Sequence, residues 1–265
     1  MNTDREPVIR VRDLVTHYGE RQILKGVSLD VYSGEIMVIM GGSGSGKSTF
    51  LRFLLGLHVP TSGSIELLGQ DITQLDSQEM YALRKKMGVS FQGGALFNSM
   101  TVGENVQLPL REHTDLDDAT IEIMSRLKLE LVNLGGFDKL MPAQLSGGMV
   151  KRAALARAIA MDPRLLFFDE PSAGLDPVVS AELDELILKL RDALNMTIVV
   201  VTHELDSAFK IADRITVLDQ GDILLVGTVE EVRNSDNSRV QDLLNRRPRD
   251  ETIDPDAYMA RLTNA

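Results

Sequence analysis

With 265 residues, 43% hydrophobic and 25% charged, the chain has ordinary globular composition and enough length to bury a full core. It contains no cysteine, which excludes a disulfide scaffold and thiolate metal sites. A net charge of −11 argues against nucleic acid as a partner, because phosphate backbones are held by clustered Lys and Arg, but it leaves nucleotides open, since backbone N–H groups and one lysine can hold a triphosphate.

The opening residues, Met1 to Pro7, are charged and mixed without an apolar stretch, and predict no secretory signal. Apolar runs such as Thr197 to Val201 fall far below the roughly 18 residues that span a bilayer, so the chain is not expected to cross a membrane by itself. The alternating segments Val8 to Arg12 and Val27 to Val31 predict half-buried strands. Glu35 to Met40 then reads as a more deeply buried strand. It runs directly into Gly41-Gly42-Ser43-Gly44-Ser45-Gly46-Lys47-Ser48, a match to the phosphate-binding pattern G-x-x-x-x-G-K-[ST]. Glycines let such a loop curl so that backbone N–H groups face phosphate oxygens, and the helix that follows adds the partial positive charge of its N-terminus. Lys47 is placed to reach the β- and γ-phosphates, and Ser48 to offer its hydroxyl to Mg²⁺. A chance glycine-rich turn has no need of a buried strand before it and a helix after it, and Phe50, Leu51, Leu54 and Leu55 supply that helical spacing here.

Residues from about 95 to 160 are mostly helical in pattern, as an insertion into the sheet would be. Leu165 to Phe168 and Ile198 to Val201 are continuous apolar runs of the parallel-strand type, and Val178 to Leu194 has helical spacing. Strands alternating with helices predict an α/β fold with a parallel sheet. The run ending at Phe168 delivers Asp169 and Glu170 to the crevice where such sheets bind ligands. There Asp169 could hold Mg²⁺ through water and Glu170 could polarise an attacking water, although strands often end in acids for no catalytic reason. Ile215 to Leu218 and Ile223 to Val226, separated by Asp219-Gln220-Gly221-Asp222, form a predicted hairpin. After about residue 233 the chain becomes polar, with Asn234 to Ser238 as a linker. Two apolar groups follow at helical spacing, Val240, Leu243 and Leu244, then Tyr258, Met259 and Leu262. The second would need a surface to cover it, and the other subunit of a dimer is the expected one, a frayed terminus being the alternative.

Leu145-Ser146-Gly147-Gly148-Met149 precedes an apolar-periodic helix with Ser146 as its N-cap. A serine with exposed N–H groups at a helix start makes an anion site, though the same residues suit a plain capped helix. With this segment, the phosphate loop and the paired acids, the chain resembles the ABC ATPase family over residues 8 to about 232. The resemblance implies a P-loop NTPase, ABC-type nucleotide-binding domain over 8–232. Its parts would be a mixed sheet core, an antiparallel β subdomain and a helical subdomain inserted at about 95–160, with 233–265 as a C-terminal tail. It implies ATP hydrolysis coupled to transport, with ATP and Mg²⁺ bound by Gly41 to Ser48 and Thr49. Ser48, Asp169 and Gln92, the last in Ser90-Phe91-Gln92-Gly93-Gly94, would hold the metal. Glu170 and His203 would be catalytic, His203 contacting the γ-phosphate, although a histidine at a strand end is as often structural. Ser146, Gly147 and Gly148 would contact the nucleotide of the opposite subunit in a head-to-tail dimer, and Asp176 would cross the dimer interface. Asp176 also suits the N-cap of a helix with Pro177 at its first position. Tyr18 would stack on adenine, unless it is an ordinary strand aromatic.

Within the family, Met149 stands where glutamine is commoner. The run Met149 to Ala158, with Phe91 to Phe97 and Pro109 to Thr114, is similar to the Mla/MCE-type phospholipid transport ATPases of bacteria with two membranes. Gly42 also replaces a frequent proline, which loosens the empty loop without removing a phosphate donor. This closer resemblance implies an integral-membrane permease dimer, an MCE-domain protein and a small STAS-domain subunit as partners. It places the chain at the cytoplasmic face of the inner membrane. The alternatives are a polar-solute importer ATPase, which shares every catalytic element, and a soluble ABC ATPase of repair or translation. The latter usually has paired domains, coiled-coil insertions or zinc cysteines.

Overall fold

The structure is a computed structural model and describes residues 6–247. The chain opens with a long hairpin, β1 (Pro7–Tyr18) and β2 (Arg21–Tyr32), and then enters β3 (Ile36–Met40). The glycine-rich loop leads into α1 (Lys47–Leu54), followed by β4 (Ser62–Leu67), β5 (Gln70–Asp71), α2 (Ser77–Arg84) and β6 (Met87–Ser90). Three helices come next, α3 (Val102–His113), α4 (Asp118–Leu131) and α5 (Gly147–Ala158). Then β7 (Leu165–Asp169), α6 (Pro177–Leu194), β8 (Thr197–Thr202) and α7 (Leu205–Ile211) alternate. The hairpin β9 (Arg214–Asp219) and β10 (Asp222–Gly227) is followed by α8 (Val229–Arg233) and α9 (Ser238–Leu244).

Two sheets result. The central one has the order β10-β9-β3-β8-β7-β6 and is parallel except for the antiparallel edge strand β10. The smaller is antiparallel, in the order β2-β1-β4-β5. The unbroken apolar runs have a simple cause, since side chains alternate between faces and here both faces are covered. Ile36, Val38, Met40, Leu166, Phe168, Ile198 and Val200 join the core shared with the helices on one face. Met37, Ile39, Leu165, Phe167, Val199 and Val201 join the core on the other, with α1 and the small sheet. Phe167 and Phe168, adjacent in sequence and both almost fully buried, therefore anchor opposite layers. Each contributes about 1.5–3 kcal/mol through burial, so truncating either one opens a cavity against a different set of helices.

The helices α3, α4 and α5 lie between β6 and β7, which are sheet neighbours. Asn105 on α3, fully buried, ties the preceding loop down. Its amide donates to the carbonyls of Phe97, Met100 and Thr101 and accepts from the Phe97 N–H. α5 packs back on the sheet so closely that a Cβ at Gly88 would lie 2.3 Å from the Ala158 carbonyl oxygen. This glycine and the four-residue length of β6 explain why sequence patterning does not reveal that strand. The first apolar group of the tail lies on α9. Val240 is fully buried, and Leu243 and Leu244 pack against the same core, so this group is satisfied within the subunit. Tyr258, Met259 and Leu262 lie outside the described residues. Among the described residues, no helix is long and apolar enough to cross a membrane.

Candidate active site

The parallel register brings four strand ends to one edge. Met40 pairs with Thr202, Asp169 with Val201, and Ser90 with Phe168. The loops leaving β3, β7, β8 and β6 therefore start side by side at the carboxyl edge of the sheet, where open α/β sheets bind ligands. These loops carry the glycine-rich segment Gly41 to Ser48, Glu170, His203 and Gln92 respectively.

At the end of β3 the chain turns through Gly44 at φ 74° and Gly46 at φ 107°, which favour glycine because L side chains are strained there. Gly46 is the N-cap of α1 and offers no side chain to its first N–H groups, leaving them for a ligand. Ser43 and Ser48 are exposed and Thr49 half-buried, whereas Ser45 is buried with its hydroxyl unpartnered. Lys47 is buried, and its ammonium donates to the carbonyls of Gly41 at 2.9 Å and Gly42 at 3.1 Å. Burial lowers its pKa, and the carboxylates of Glu170 and Asp169 push the other way. From the outer side, Leu243 of α9 reaches the loop, its Cδ2 3.6 Å from where a Cβ on Gly42 would stand.

Asp169 ends β7 with its Oδ1 buried and unpartnered. Burial raises its pKa, as does the adjacent Glu170, against the opposing pull of Arg52, Lys47 and Lys151. Glu170 is buried and sits at φ 49°, a left-handed backbone that costs a non-glycine residue about 1–3 kcal/mol. Its Oε2 accepts from the Thr202 hydroxyl at 3.1 Å and the His203 N–H at 3.3 Å, and its Oε1 lies 2.9 Å from His203 Nδ1. The carboxylate is thereby aimed by the end of β8, and His203, itself half exposed, bridges it to solvent.

Two members of this cluster escape a reading of the sequence. Thr202 ends a strand of β-branched residues and is indistinguishable there from a packing threonine. Lys151 of α5 is buried and donates to the carbonyls of Gln92 and of Glu170, the latter at 3.2 Å. Its one sequence signal is a lysine on the side of an alanine-rich helix that is otherwise buried. Burial lowers its pKa, partly offset by Glu170 and Asp169. Gln92 itself is exposed.

The remaining candidates stand apart from this cluster. Ser146 is exposed and caps α5, its Oγ accepting from the Met149 N–H at 3.3 Å. Asp176 is exposed and caps α6, accepting from the N–H groups of Val178 and Val179 at 3.1 Å each. A Cβ on Gly148 would meet Val179 at 2.6 Å, and one on Gly147 would meet Leu175 at 3.8 Å. The two capped helix starts therefore adjoin one another, and no hydrogen bond among the described residues joins either of them to the Lys47 loop. Tyr18, at the end of β1, is 45% exposed and packs edge-on to His58, its ring centroid 6.2 Å away.

The donors at the edge suit a hard cation. Asp169 brings an unpartnered buried carboxylate oxygen, Ser48 an exposed hydroxyl, and Gln92 an amide oxygen. Among the described residues no group of three His, Cys, Asp or Glu gathers that could hold a metal ion. Few protein ligands is the pattern of Mg²⁺, which keeps waters and phosphate oxygens in its shell.

Known proteins share this sequence and shape. The family model described as ABC transporter matches residues 24–173. The chain is 43% identical over 237 residues to the intermembrane phospholipid transport system ATP-binding protein MlaF of Haemophilus influenzae, covering 89% of this chain and 90% of that one. It is 42% identical over 239 residues to the probable ribonucleotide transport ATP-binding protein mkl of Mycobacterium leprae, covering 90% of this chain and 69% of that one. Its fold superimposes on the dimeric, post-hydrolysis ATP-binding cassette MJ0796 bound to ADP and Pi with a TM-score of 0.76 and 31% identity, over 83% of this chain and 98% of that one. With its phosphate loop, paired acids and strand-end histidine at one sheet edge, the chain belongs to the ABC transporter family as an ATP-binding, ATP-hydrolysing member.

Proposed function

We propose that the chain is the ATPase subunit of a complex that moves phospholipid between inner and outer membranes, and that it works as a head-to-tail pair. The observation that carries the chemistry is Glu170, buried beside Lys47 and Asp169 with its carboxylate oriented by Thr202 and His203. In this reading Lys47 leaves the carbonyls of Gly41 and Gly42 for the β- and γ-phosphate oxygens of ATP, and the N–H groups from Ser43 to Thr49 surround the same oxygens. Ser48, Asp169 and Gln92 hold Mg²⁺, which when bound offsets charge on the β- and γ-phosphates. Glu170 takes the proton of the attacking water as general base, and His203 holds Glu170 on one side and the γ-phosphate on the other. Tyr18 offers its exposed ring to adenine.

Ser146, Gly147, Gly148 and Asp176 serve the nucleotide of the second copy. The exposure of Ser146, Gly147 and Asp176 at two adjoining helix starts, away from their own phosphate loop, supports that assignment. The dimeric state of the similar cassette MJ0796 supports the pairing. The cargo reading rests on the MlaF relative, which matches nearly end to end in both chains, and on the run Met149 to Ala158. Its partners are then an integral-membrane permease dimer, an MCE-domain protein and a small STAS-domain subunit, with the ATPase at the cytoplasmic face of the inner membrane. The test is mass spectrometry of the proteins and lipids that co-purify with the chain in mild detergent. Glycerophospholipid with a permease and an MCE-domain protein is the expected result, and a ribonucleotide, amino acid or sugar as the bound cargo would overturn it.

A further inference from the structure

The buried ammonium of Lys151 does something none of the assigned roles requires. It leaves α5, the helix that Ser146 caps, and reaches two carbonyl oxygens from distant parts of the chain. These are Gln92, just beyond β6, and Glu170, just beyond β7. The Glu170 peptide is the strained one, at φ 49°. Such a conformation persists only where its surroundings over-determine it. They do so here from both sides. The Glu170 N–H donates to the Val201 carbonyl at 2.8 Å, while its own carbonyl accepts from the Ala173 N–H at 3.3 Å and from Lys151 at 3.2 Å. The carboxylate is held separately, by Thr202 and His203. The end of β8 thus fixes the carboxylate and the N–H of Glu170, whereas α5, through Lys151, reaches the carbonyl.

A lysine has three donors and no acceptor, and burial disfavours its charge unless carbonyls or carboxylates face it. Here two carbonyls face it directly and Asp169 and Glu170 supply favourable charge nearby. We infer that Lys151 is a positioning residue, an ammonium strut that sets the backbone of Glu170 and ties it to the Gln92 loop and to the helix beginning at Ser146. Movement of either the loop or the helix is then felt by the group that activates water. The inference rests on the reading of Glu170 as general base.

The experiment compares Lys151→Met, Lys151→Gln, Lys151→Arg and Glu170→Gln in the assembled membrane complex, with ATPase kinetics and melting temperature measured for each. Lys151→Met should lower kcat on the order of tenfold with KM for ATP within about twofold, because no phosphate-binding group is touched. Lys151→Arg, which keeps charge and donors, should recover kcat to within about threefold of the parent, and Lys151→Gln should fall between. If Lys151→Met fails to assemble, the Arg and Gln variants carry the test, and a Gln variant with parental kcat overturns the strut. A Met variant with parental kcat, or one whose KM rises as kcat falls, overturns it while Glu170→Gln remains inactive. Parental turnover in Glu170→Gln instead removes the general-base reading, and the strut with it.

Discussion

Replacing Gly41 by alanine tests whether the phosphate loop is built on a backbone contact that only glycine permits. An ideal Cβ at Gly41 would stand 2.1 Å from the Leu218 carbonyl oxygen and 2.7 Å from Ser45 Oγ. Neither neighbour can swing away cheaply, since the Leu218 carbonyl belongs to β9, which pairs with β3 beside it, and Ser45 is itself buried. Relief requires parting the ends of β3 and β9 or displacing the loop. Overpacking of this kind costs about 1–3 kcal/mol, and a chain of this size loses about 2–4 °C of melting temperature per kcal/mol. Gly41→Ala should therefore melt roughly 2–12 °C below the parent without nucleotide. Because the Gly41 carbonyl also holds Lys47, a loop shifted by about 1 Å should lose on the order of 100-fold in hydrolysis. Gly42→Ala is the internal control. Its Cβ would meet only Leu243 at an ordinary 3.6 Å, and its φ is not positive. That variant should match the parent or gain about 0.4–1 kcal/mol by restricting the unfolded chain. Melting curves by circular dichroism and a coupled ATPase assay read both. Equal melting and turnover for Gly41→Ala, or equal damage in both variants, would refute the close-contact argument.

Glu170→Gln keeps an acceptor for Thr202 but loses the base. Turnover should drop about 100-fold or more while ATP still binds, and an ATP-bound dimer should accumulate on size exclusion. Ser146→Arg should leave nucleotide binding by the Lys47 loop nearly intact in the monomer yet stop hydrolysis, because its bulk and charge would enter the opposite site; loss of monomer binding would count against the trans assignment. Asp169 has a folded pKa raised by burial and by Glu170, so whatever stability it contributes in acid is lost as pH rises through its titration. Asp169→Asn should accordingly melt higher than the parent near pH 7 without nucleotide, and hydrolyse nothing. Superimposable melting profiles across the acid range would exclude that sign.

The parts of the site that sequence made legible are those where local geometry demands particular residues. The phosphate loop needs glycines at Gly44 and Gly46 for positive φ, and the strands flanking it advertise themselves because both faces are buried. The long hairpin was half legible. The alternation in β1 is broken by register shifts between Val11 and Val15, near Asp13 at φ 46°, so the period-two signal stops short of the strand's end. The Lys151 contacts were not legible at all. Their partners are 59 and 19 residues away, and a lysine on a helix carries no mark of which carbonyls the fold will bring to it. The left-handed backbone of Glu170 is equally silent, since Pro171 and its neighbours carry no glycine that would announce it. Helical spacing did mark Val240, Leu243 and Leu244, but not that they would cover their own domain and touch the phosphate loop.

The two carbonyl contacts of Lys47 bear on affinity. Its ammonium already has two oxygens for company, so in the proposed reading an arriving triphosphate competes with the loop's own carbonyls. Only the difference between the two sets of bonds appears as affinity. In the proposed reading, a loop that solvates its own cation in this way gives up part of its hold on the triphosphate, whose oxygens must displace the Gly41 and Gly42 carbonyls from Lys47.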